Sequence, residues 1–166
     1  MKRSVLSLAL FVIGFGLSAC GNNPTGPSGT SQTKFTATLL PANEVPAIVG
    51  AEAAGSGTAT ITFNLTRDSY GSITAATVDF SVTATGFPNG TALTGAHIHA
   101  GDPGINGGIL ISTGLTAGEV ILANGAGSFT KAGITVPVDQ ANSILANPSA
   151  FYFNIHTANF GGGEIR

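Results

Sequence analysis

The sequence predicts an all-β fold, an antiparallel β-sandwich or flattened barrel with one short helix near residues 137–147. Three observations predict it. Apolar and polar residues alternate with a period of two in several successive segments, Gly, Pro and Asn punctuate the intervals, and a single stretch departs to helical spacing. Such alternation puts one face of each strand into a core and the other into water, as antiparallel sheets do.

The elements follow in order. Phe35, Ala37 and Leu39 alternate with Thr36 and Thr38. Ala59, Ile61, Phe63 and Leu65 alternate with Thr58, Thr60, Thr62 and Asn64. Val78, Phe80, Val82 and Ala84 alternate with Thr77, Asp79, Ser81 and Thr83. The Thr-rich outer faces suit pleated backbone. Shorter strands are expected at 96–99, 108–112, 119–123, 128–131 and 151–156, separated by turn residues. In 137–147, Val138, Ala141 and Leu145 recur at helical spacing. Pro137 suits a first turn, Asp139 suits the positive end, and Pro148 closes the segment.

Composition bounds the function. Charged residues are only 8% of the 166, against ~25% in an ordinary soluble protein. A net charge of -2 offers no basic surface, so no nucleic-acid partner is expected. Cys20 is the only cysteine, so the domain is expected to rest on its core without an internal disulfide. A core of that size buries roughly two thirds of the unfolded surface.

The amino-terminal end has the anatomy of a secretory signal. Lys2 and Arg3 precede an apolar run from Val5 to Leu17, shorter than the ~20 residues of a spanning helix. Leu17-Ser18-Ala19-Cys20 resembles the lipobox of bacterial lipoproteins. That resemblance implies cleavage after Ala19, lipidation of Cys20, and a membrane-anchored, exported protein at the outer membrane or cell surface. Several acyl chains hold durably where one holds weakly. Residues 21–33, rich in Gly, Pro, Asn, Ser and Thr, are expected to form a flexible tether. The expected organisation is therefore signal 1–19, lipidated Cys20 and tether 20–33, and a β domain 34–166.

All three histidines lie in strand-like segments, where their phase can be read. Ala96, Ile98 and Ala100 share one face, so His97 and His99 share the other. Phe151, Phe153 and Ile155 face the core, so Tyr152, Asn154 and His156 face away. The rings are thus expected on the outside, as surface histidines or as ligands. Residues i and i+2 stand about 6.6 Å apart along one face, and two imidazoles there can lean onto one ion. If the strands are neighbours, His156 supplies a third nitrogen. Glu164, opposite in phase to Ile165, is a candidate ligand, or an acceptor that orients one. Three imidazoles suit copper or zinc better than magnesium or calcium.

Other motifs carry less. Glu44 sits in a loop where a turn-stabilising hydrogen bond is expected. Gly101 to Gly108 has neither the following helix nor the Lys-Ser/Thr pair of a phosphate cradle and reads as a turn. No Gly-x-Ser-x-Gly elbow and no calcium loop pattern is present in the sequence.

Three blocks resemble the chordin-type (CHRD) domain. They are Leu40-Pro41-Ala42-Asn43-Glu44-Val45-Pro46 with Ala54-Gly55-Ser56-Gly57-Thr58-Ala59, then Ala96-His97-Ile98-His99-Ala100-Gly101 with Gly107-Gly108-Ile109-Leu110, then Tyr152-Phe153-Asn154-Ile155-His156-Thr157 with Gly161-Gly162-Gly163-Glu164-Ile165-Arg166. The resemblance implies an immunoglobulin-like β architecture. The family usually continues past the Glu-Ile-Arg block with a few more strand residues, whereas this sequence stops at Arg166, so a short last strand is expected. It does not carry an activity with it. The expected function is a non-enzymatic cell-envelope binding or structural module with an unidentified envelope or extracellular ligand. The alternative is a copper- or zinc-binding protein using His97, His99 and His156 in metal handling or redox defence.

Overall fold

The computed structural model describes residues 28–166. The expected signal, Cys20 and the tether through residue 27 lie outside them.

Eight strands form two antiparallel sheets. In the first, β1 (Gly29–Leu39), β2 (Ser56–Arg67), β3 (Ile73–Thr85) and β7 (Gly127–Val136) lie in the order β1-β2-β3-β7. In the second, β4 (Thr91–Ala100) is central. His97 pairs with Ser112 of β5 (Ile109–Ser112) on one side and with Asn154 of β8 (Phe151–Thr157) on the other. The two-residue β6 (Ile121–Leu122) pairs with the start of β4. The two sheets stay separate, so the sandwich form of the expected fold holds and the flattened barrel does not.

Alternation does what the sequence led us to expect. Ala59, Ile61, Phe63 and Leu65 of β2 and Val78, Phe80, Val82 and Ala84 of β3 are buried. They meet Ala96, Ile98, Phe153 and Ile155 from the second sheet. Phe80 and Phe153 stack across the interface at 5.6 Å between ring centroids. At ~25 cal/mol per Å² of apolar area, this layer is the main source of stability. The helix α1 (Val138–Ala146) begins just after Pro137 and buries Ala141 and Ile144. Val138 and Leu145 flank that stripe, half-buried. No helix among the described residues is long and apolar enough to cross a membrane.

Two expectations need correction. Regular structure starts at Gly29, so residues 29–33 are strand rather than tether. They pair with the end of β2, from Gly29 opposite Arg67 to Thr33 opposite Phe63. A ladder of this kind needs backbone groups and a partner, not buried side chains. Gln32 and Arg67 add polar bonds across it, to Asn64 and Ser31. Ala100, expected on the core face, is exposed at the end of β4, just past a register shift in the β4–β5 pairing.

Candidate metal centre

The outer face of the β4–β8 pair is built from two rows of side chains. Gly95, His97 and His99 run along β4. Opposite them stand His156, Asn154 and Tyr152, residue for residue. The histidines therefore lie on the predicted face, but two of them are not surface residues: His99 is 6% and His156 8% exposed, and His97 is half-buried. Two loops lie over this face. Loop 101–108 brings the Gly107 carbonyl to His99 Nδ1 at 3.0 Å, and loop 158–163 brings the Gly161 carbonyl to His156 Nδ1 at 2.9 Å. Strand periodicity reports which face a residue takes. It does not report what folds back over that face.

These bonds fix the tautomers. A carbonyl oxygen only accepts, so each Nδ1 carries the proton and each Nε2 presents a lone pair. Nε2 of His99, Nε2 of His156 and Nδ1 of His97 are buried without a hydrogen-bond partner. One ring nitrogen from each of the three histidines falls within 4.8 Å of the others. The rings of His97 and His156 stand 4.8 Å apart, and those of His97 and His99 5.7 Å. Gly95 makes this approach possible. A Cβ on Gly95 would stand 2.9 Å from Cε1 of His97, so the ring lies over bare backbone on its way to His156.

Burial favours the neutral form of His97 and His156. Burial pushes His97 down to about 4, helped by its neighbours His156 and then His99. Burial also lowers His156, against the Gly161 bond, which favours the protonated form. A neutral imidazole with a bare nitrogen is the form that ligates a metal. With metal–nitrogen bonds of ~2.0–2.1 Å, tetrahedral donors sit ~3.4 Å apart, so side-chain rotations closing the gap by about 1–1.5 Å bring all three onto one ion. Three nitrogens without a carboxylate suit copper or zinc. The residues present fit such an ion.

Glu164 does not join the group. It is fully buried, and its Oε2 accepts a hydrogen bond from the Thr157 hydroxyl. Burial raises its pKa, with Glu52, not a histidine, as the charged neighbour. The orienting acceptors are the carbonyls of Gly107 and Gly161, which leave no trace in a pattern of side chains. Glu44 is buried as well. Burial raises its pKa against the pull of Arg166, the Asn154 amide and the Val45 N–H.

Sequence reasoning passed over a second support. Tyr152 stacks on His99 at 4.9 Å with the planes 6° apart, and the Arg166 guanidinium lies 4.3 Å from the Tyr152 centroid. Arg166 is in turn held by the carbonyls of Asn43 and Ile105. The signal was present in the Tyr152-Asn154-His156 alternation, which puts Tyr152 on the histidine face.

Comparison with known proteins adds one finding. No curated protein and no solved structure matches the chain. The CHRD domain family model matches residues 35–166, which contain all three histidines and every strand but the first residues of β1, and the chain belongs to the CHRD-domain family.

Proposed function

We propose that this protein is a non-enzymatic metal-binding module of the cell envelope, holding one copper or zinc ion through His97, His99 and His156. The observation that carries the reading is that one ring nitrogen from each of His97, His99 and His156 lies within 4.8 Å of the others, where each ring also buries a nitrogen without a partner and two rings are aimed by backbone carbonyls. An unpaired buried polar atom costs about 1–3 kcal/mol. Three together are hard to explain as packing, and one ion satisfies all of them. The exported, lipid-anchored setting rests on the resemblance of Leu17 to Cys20 to a lipobox. Bound metal would supply Lewis acidity or, for copper, electron exchange. The histidines' own part is to hold their donor nitrogens in place, with burial favouring neutral His97 and His156.

The test is metal analysis of the full chain purified without chelator, followed by titration calorimetry with Zn²⁺ and Cu²⁺. One equivalent is expected, lost in His97→Ala. Heat no larger than that of a histidine-free variant would end the proposal and return the domain to a structural or adhesive role.

A further inference from the structure

Resting on the metal-binding function proposed above, we infer that Asn154 is the fourth ligand of that site, its side-chain carbonyl oxygen closing the position that the three histidines leave open.

The sheet register places it. Asn154 stands directly opposite His97 in the β4–β8 pairing, and His156 lies two residues along the same strand. His99 lies on the diagonal, because its own partner is Tyr152. Side chains directly opposite have Cβ atoms about 4.5–5.5 Å apart, and diagonal ones stand about 7–8 Å apart. Of the outer-face positions on these two strands, Asn154 is the one non-histidine residue that neighbours all three rings. Tyr152 faces His99 at one end of the group, and Gly95 faces His156 at the other.

The amide is also turned toward the rings. β8 has β4 on one side and segment 164–166 on the other, where Ile155 exchanges hydrogen bonds with Glu164 and Ile165. Gly163 leads into that segment, in the left-handed region at φ 124°. A Cβ on Gly163 would stand 2.5 Å from Asn154 Nδ2 and 2.7 Å from Glu44 Oε1. The NH₂ end of Asn154 therefore points away from β4, beside a carboxylate that accepts from it. A carboxylate takes the donor end of an amide and not the acceptor end, which fixes the amide against a flip. Oδ1 is left on the β4 side, where His97 stands. Asn154 is 1% exposed, and this oxygen is buried without a hydrogen-bond partner. The Nε2 atoms of His99 and His156 carry no proton to offer it.

Three imidazole nitrogens and one amide oxygen make the four donors of a closed tetrahedral site. A catalytic zinc centre keeps one position for water or substrate. A site closed by Asn154 holds an ion and leaves no place on it for a substrate, which suits a binding module rather than an enzyme.

The test loads the full chain with one equivalent of Co²⁺, whose visible spectrum reports its coordination, and adds azide as the probe of an open position. Azide is expected to leave the wild-type spectrum unchanged. Asn154→Ala should bind Co²⁺ about tenfold or more weakly and admit azide. Asn154→Asp keeps an oxygen donor and should exclude azide as wild type does, a rescue that packing alone would not give. In the unaltered protein, Zn²⁺ should shift the Asn154 side-chain NH₂ resonances more than those of any other asparagine, so the result does not depend on a variant folding. Azide binding to wild type would overturn the inference, whether water holds the fourth position or Oδ1 accepts a hydrogen bond from His97. So would Asn154 resonances that Zn²⁺ leaves in place, or an Asn154→Ala site still closed to azide. Wild type that takes up no metal removes the metal-binding reading as well, whereas wild type that takes one equivalent and admits azide removes the role of Asn154 alone.

Discussion

The two faces of the β4–β8 pair are both buried, and they are buried in opposite ways. On the inner face, Ala96, Ile98, Phe153 and Ile155 pack against β2 and β3, and no polar side-chain atom needs a partner. The outer face, roofed by loops, holds His97, His99, Asn154 and His156. With Glu44 and Glu164 close in the fold, these residues supply every buried unpartnered side-chain atom among the described residues. Apolar burial has no directional requirement, so the inner face is complete in itself. Polar burial demands partners, and the outer face is complete only with something added. In the function proposed above, the inner face accounts for stability and the outer face for binding, and substitutions should separate the two.

The largest effect is expected on the inner face. Phe80 is 2% exposed and stacks on Phe153, so Phe80→Ala should cost about 3–5 kcal/mol in urea unfolding. Protein that remains folded should still take one metal ion per chain. Loss of metal in parallel with stability would mean that the faces are not independent.

Gly95→Ala is expected to do the reverse. The new methyl strikes the His97 ring, which is half-buried and can swing away. Metal affinity should therefore fall about 10–100-fold, as when an orienting contact is lost. The urea midpoint of the metal-free protein should move by less than about 1 kcal/mol-equivalent, well below the core substitution. Unchanged affinity would show that the position of His97 does not govern the site.

This contrast also explains how far the sequence could be read. Val78, Phe80 and Val82 announce a strand because their environment depends only on the pleat, and the same rule put all three histidines on one outer face. The helix after Pro137 was legible from 3.6-residue spacing. What covers the histidines was not legible, because loops 101–108 and 158–163 fold back through Gly-rich turns and act through backbone carbonyls. Glu164 had the right phase for a ligand but turns to Thr157, a choice made by one local hydrogen bond. Residues 29–33 looked like tether because edge pairing with β2 requires no apolar pattern.

A smaller effect is expected from pH. The folded-state pKa of His97 is lowered to about 4, below its ordinary 6.5. Between those values the unfolded chain binds more protons than the folded one. The contribution is therefore present in full above about pH 6.5 and lost as pH falls toward 4. Glu44 and Glu164, raised by burial, act in the opposite sense and lose stability as pH rises through their folded values. The comparison that isolates the histidine is wild type against His97→Ala without metal. The wild-type urea midpoint should fall more steeply over that interval, and equal slopes would contradict the assignment.

The smallest effect belongs to neither face. Glu119 pairs with Lys131 at 2.7 Å on the surface, and its carboxyl is drawn down to about 2, chiefly by that hydrogen bond. Water and salt screen an exposed pair of this kind. Glu119→Gln should leave both the urea midpoint and the metal stoichiometry unchanged at physiological ionic strength. A clear drop in either would show that this pair matters beyond the surface.

The most direct measurement is X-ray absorption on the full chain loaded with one equivalent of Zn²⁺ or Cu²⁺. We expect three imidazole nitrogens at about 2.0–2.1 Å, reduced to two in His156→Ala. A coordination shell dominated by oxygen, or one that His156→Ala leaves unaltered, would contradict the account.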